Sequence, residues 1–169
     1  ISTGGKGGSI TLSVGEGNIG NGGDISLNAG ITTATDNNGG TISIQSGKSD
    51  ATSSGTVSIS TSNGGTAGVS GNIDISTGET LNGETGTITL TSGKSTGGKG
   101  GSITLSVGEG NIGNGGDISL NAGITTASNT PGGQLILQSG GSTQGKSGKI
   151  SLTTLHGGAS GDIDINTGK

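Results

Sequence analysis

The chain has 169 residues, a formal net charge of −4, 42 glycines, one proline, and no Cys, Met, Phe, Tyr or Trp. Hydrophobic residues are 24% of the total, about half the globular share, and no aromatic bulk exists to fill a compact core. Zero Cys excludes a disulfide framework and a thiolate metal site. Seven scattered Lys with no Arg and no aromatic residue argue against nucleic acid, and no apolar run reaches membrane-spanning length.

Along the chain, one short motif recurs. It reads Gly, one or two residues, Ile or Val, polar, Ile or Leu, polar, small, Gly. Its first apolar residue falls at Ile10, Ile25, Ile42, Val57, Ile73, Ile88, Ile103, Ile118, Leu135, Ile150 and Ile163, mostly 15 apart, with extremes of 13 and 17. Its second falls two residues later, at Leu12, Leu27, Ile44, Ile59, Ile75, Leu90, Leu105, Leu120, Leu137, Leu152 and Ile165. Alternation with period two predicts a strand with one buried face. Asn-Gly pairs at 21–22, 38–39, 63–64, 82–83 and 114–115 predict corners, because these residues tolerate positive φ. The connections also carry Ile19, Ala51, Ala67 and Leu81, which could point inward.

A longer period is superimposed. Residues 2–34 reappear unchanged as 95–127, an offset of 93, or six motif copies. Recent duplication is the simplest cause, and a regularly repeating lateral surface the sharper one. The super-repeat units are taken as about 2–94 and 95–169. Together they make one array, 1–169, that starts and stops mid-repeat like a fragment of a longer chain.

These patterns predict an all-β protein, a parallel β-solenoid (β-helix) of about eleven coils of ~15 residues. At about 3.3 Å per residue, a coil is roughly 50 Å of path. Coils stacked at about 4.8 Å make a rod on the order of 50 Å long, with a six-coil axial repeat of roughly 29 Å. Its core would be a ladder of Ile and Leu faced by Gly, Ala, Ser and Thr. Disorder, which the composition favours, and an array of hairpins are the competing readings.

The Gly-Gly-Asp-Ile-Ser-Leu-Asn-Ala-Gly unit at 22–30 and 115–123 resembles the coil repeats of filamentous-haemagglutinin-type surface adhesins. It is also similar to Gly-rich repeats of giant extracellular surface and adhesive proteins. The resemblance implies an extracellular β-solenoid shaft that serves attachment or filament formation.

Candidate sites are weak. The outward strand positions Thr11, Ser26, Ser43, Ser58, Asp74, Thr89, Thr104, Ser119, Ile136, Ser151 and Asp164 form a polar ladder. A regular Thr ladder would suit ice, but Asp, Gln45, Gln138 and Lys149 interrupt it, so a solvated or packing face is the plainer reading. Gly20-Asn21-Gly22-Gly23-Asp24 resembles the nonapeptide of calcium-binding β-rolls, yet the period is near 15 and Asp24 and Asp117 recur only once per several coils. Asp162 and Asp164 are expected to form a surface ion pair with Lys149, of little energetic weight. The single His, His156, sits in a connection where the other copy has Asn63, and this argues against catalysis. No Asn-x-Ser/Thr acceptor is present, although Ser and Thr could carry O-linked sugars.

The expectation is therefore a non-enzyme with no catalytic, metal or cofactor-binding residues, no cofactor and no nucleic-acid partner. Its role is the structural shaft of an extracellular filament, sheath or appendage. Stalk of a large cell-surface adhesin and ice- or surface-binding module are the alternatives. Its expected partners are identical chains, end-to-end or lateral, and surface glycans.

Overall fold

In the computed structural model, residues 5–155 and 157–168 are described. Among them there is no helix and no strand. The expected β-solenoid is thereby overturned, and with it the stacked coils, the rod and the buried Ile/Leu ladder. No described residue is buried. Ile19 and Leu81, expected to turn inward, are among the most exposed side chains.

The physical reason lies in the backbone. A strand exists only when its N–H and C=O groups meet those of another extended segment. The described residues make five backbone–backbone hydrogen bonds, and none spans more than the ten positions from Gly30 to Gly40. Neighbouring motif copies therefore meet through at most a single bond at their ends and not along a ladder, and the amides between are left to water. The surface area agrees. A folded monomer of this mass exposes about 7,300 Å² and a fully extended chain about 22,800 Å². This chain exposes 17118 Å², closer to the second.

What the repeat does build is local. The chain divides by its contacts into two units, Ile1–Ile88 and Thr89–Lys169. Within each, short stretches carrying the two apolar residues alternate with loops that pinch shut at a neck. At each neck a glycine two residues before a first apolar residue meets the residue four places after the preceding one. The pairs are Gly23 with Val14, Gly40 with Ala29, Gly55 with Ser46, Gly71 with Thr61 and Gly86 with Thr77 in the first unit. In the second they are Gly101 with Ser92, Gly116 with Val107, Gly133 with Ala122 and Gly148 with Ser139. A Cβ on these glycines would stand 2.7–3.5 Å from that side chain; at Gly23 and Gly116, 2.7 and 2.8 Å from a valine methyl, the approach depends on its absence, and at the longest distances it would make an ordinary contact. That position is Gly in all eleven motif copies.

Four necks also close with the same hydrogen bond. The N–H of Gly40, Gly55, Gly133 and Gly148 donates to the carbonyl of Gly30, Gly47, Gly123 and Gly140, at 2.8–2.9 Å. The last two necks are the first two displaced by 93 residues. Smaller features recur at the same offset. Asn28 Nδ2 donates to Ser26 Oγ at 2.7 Å, and Asn121 Nδ2 to Ser119 Oγ at 2.8 Å. Ser49 Oγ accepts from Thr52 N at 2.9 Å, and Ser142 Oγ from Gly145 N at 2.8 Å, so each hydroxyl stands in for a turn carbonyl. Thr32 and Thr125 do the same for Ala34 and Ala127, both at 3.2 Å.

Candidate functional site

The repeated loops place the apolar residues in three grades of exposure. From Ile25 onward the first apolar residue of each motif, two places past its neck glycine, is 48–57% exposed. The second, two residues further on, is 56–85% exposed across all eleven copies. Loop residues such as Ile31, Val69, Leu81, Ile112 and Ile124 stand almost wholly in water. The chain thus presents a periodic series of Ile, Val and Leu side chains, each left about half or more exposed. Scattered exposed apolar residues are ordinary on any protein, but a series recurring every ~15 residues is a surface with a pattern.

The half-buried positions are few and small: Ala29, Ser46, Ser49, Ser139 and Thr154. Four of these five occupy the same motif position, four residues after a first apolar residue. Coverage therefore comes from the pinching of the loops and not from a core.

The polar candidates are not brought together. Among the described residues no three His, Cys, Asp or Glu side chains converge as metal ligands, at Asp24 and Asp117 or elsewhere. The ion pair found among the described residues joins Lys48 Nζ to Asp50 Oδ1 at 2.6 Å. It replaces the expected pairing of Lys149 with Asp162 and Asp164. Lys48 and Asp50 are two positions apart on one loop, whereas the other pairing needed stacked coils. Both partners are almost fully exposed, so the contact contributes little. The expected polar ladder is not a flat array, because its positions share no sheet. Within it the side chains bond locally, as Ser26 does to Asn28 and Ser151 Oγ to Thr153 Oγ1 at 3.4 Å. His156 lies outside the described residues.

Family models, curated proteins and solved structures were compared with the chain, and none matches it. No concave pocket is found among the described residues, and no helix there is long and apolar enough to cross a membrane. Sequence reasoning missed the necks. Their signal is present in the sequence, since Gly occupies the position two before the first apolar residue in every copy, but spacing alone does not mark it as a point of close approach.

Proposed function

We propose that this chain is a non-catalytic structural segment of an extracellular or cell-surface assembly, and that it works by lateral association with identical chains. The observation that supports the reading is the uncovered apolar series: two large aliphatic residues in each of eleven motif copies, at near-constant spacing, all exposed. A second copy offers the same spacing, so contacts made at one motif are repeated at the next. The stretches that carry these residues make no ladder within the chain, so their backbone donors and acceptors remain to pair with another chain. End-to-end joining loses its basis, because it relied on the open face of a stacked coil.

The test is sedimentation velocity on the purified chain over a wide concentration range. Association that grows with concentration, and strengthens in sulfate, is expected. Replacing Leu90, Leu105 and Leu120 by Ser should weaken it. If each side chain gives up about 1.4 kcal/mol of contact, each replacement costs roughly tenfold in affinity. A chain that stays monomeric at the highest concentrations contradicts the proposal.

A further inference from the structure

We propose that Asn21, Asn38, Asn82 and Asn114 are sites of spontaneous deamidation that convert neutral amides of this protein into carboxylates, with Asn63 a slower fifth. All five precede glycine, and all five pairs are exposed. The reaction needs the backbone nitrogen of the following residue to reach the Asn Cγ, which a side chain on that residue hinders and glycine does not. Among the described residues, none of these five Asn side chains takes part in a hydrogen bond with protein, and the N–H groups of Gly22, Gly39, Gly64, Gly83 and Gly115 donate none to the backbone. Nothing fixes either reacting group against the approach.

The step balances without an oxidant or a cofactor. The glycine nitrogen attacks Cγ, an N–Cγ bond forms, and the Cγ–Nδ2 bond breaks. The proton lost from the backbone nitrogen leaves with the departing ammonia. Water then opens the cyclic imide at either carbonyl, giving Asp or isoaspartate and releasing a proton from the new acid.

Local geometry ranks the sites. Around Gly22, Gly83 and Gly115 an added Cβ would meet nothing within 4 Å, and at Gly39 only the Gly30 carbonyl at 3.6 Å. These peptide units have room to swing into the ring. Gly64 does not: the same test places backbone atoms of Gly68 and Val69 at 2.8–3.0 Å. Asn21 and Asn114 lie inside the identical stretches 2–34 and 95–127, and the glycines before them have matching φ of 89° and 77°. They are equivalent sites and should react at one rate. Asn28 and Asn121 are the internal controls, since each is followed by Ala and its amide donates to a serine hydroxyl. Four of the five sites fall in the first unit and one in the second; at the offset of 93, Pro131 stands where the first copy has Asn38 and His156 where it has Asn63. Full conversion adds five negative charges to −4, giving −9.

The experiment is incubation of the whole purified chain, warm and mildly alkaline, sampled over time by isoelectric focusing and by mass mapping of peptides with isoaspartate detection. Four fast sites are expected, with Asn21 and Asn114 superimposable, Asn63 several-fold slower, Asn28 and Asn121 unchanged, and rates rising with pH. In an Asn21→Gln variant, Asn114 should react as before. Conversion at Asn28 and Asn121 as fast as at the Asn-Gly pairs would overturn the proposal. So would Asn63 reacting among the fastest, or Asn21 and Asn114 reacting at clearly different rates.

Discussion

Glycine at the necks has a specific task. The Gly133 Cα approaches Gly123 so closely that a Cβ would meet its nitrogen at 3.0 Å and its carbonyl oxygen at 3.2 Å. Backbone atoms cannot rotate aside as the end of a long side chain can. Gly133→Val should therefore open the 123–133 loop and break the Gly133 N–H bond to Gly123, worth about 0.5–1.5 kcal/mol. The expected readout is faster solvent exchange of the Gly133 amide proton by NMR, with the Gly40 amide of the first unit unchanged. An unaltered Gly133 amide would show that the close approach does not hold the neck. Asn129 is the one non-glycine described with positive φ, 60°, in keeping with the tolerance of Asn for this region.

At the scale of the element, the loop is set by its ends more than by its middle. Asp36-Asn37-Asn38 in the first copy becomes Asn129-Thr130-Pro131 in the second, yet both necks close with a 2.8 Å Gly–Gly bond. Exchanging the three, by Asn129→Asp, Thr130→Asn and Pro131→Asn, should leave the exchange rate of the Gly133 amide within about twofold. A large acceleration would mean that the loop interior holds the neck. Much of this organisation was legible in the sequence. The motif spacing, the offset of 93 and the glycine positions all reappear as geometry, with Val14 against Gly23 repeated by Val107 against Gly116. The secondary structure was not legible. Alternation in Ser9-Ile10-Thr11-Leu12-Ser13 reports which residues could share a face, but it does not supply a partner for their amides. In a chain with 42 glycines and no aromatic residue, a periodic pattern leaves too little apolar surface per motif to hold neighbouring copies together. The site candidates failed for the same reason: the polar ladder and the Lys149 pairing both required stacked coils.

Over both units, the order among the described residues lies in local turns and necks. The chain's large aliphatic side chains remain exposed, which favours association with other copies while its low charge resists it only weakly. Residue-resolved amide hydrogen exchange on the dilute, monomeric protein reads the backbone of the single chain directly. Measurable protection is expected at the neck amides of Gly40, Gly55, Gly133 and Gly148, and near-unprotected exchange through the apolar stretches around Ile42, Ile88 and Ile118. Strong protection recurring through those stretches in the monomer, copy after copy, would mean that the motifs pair with one another, and would contradict that expectation.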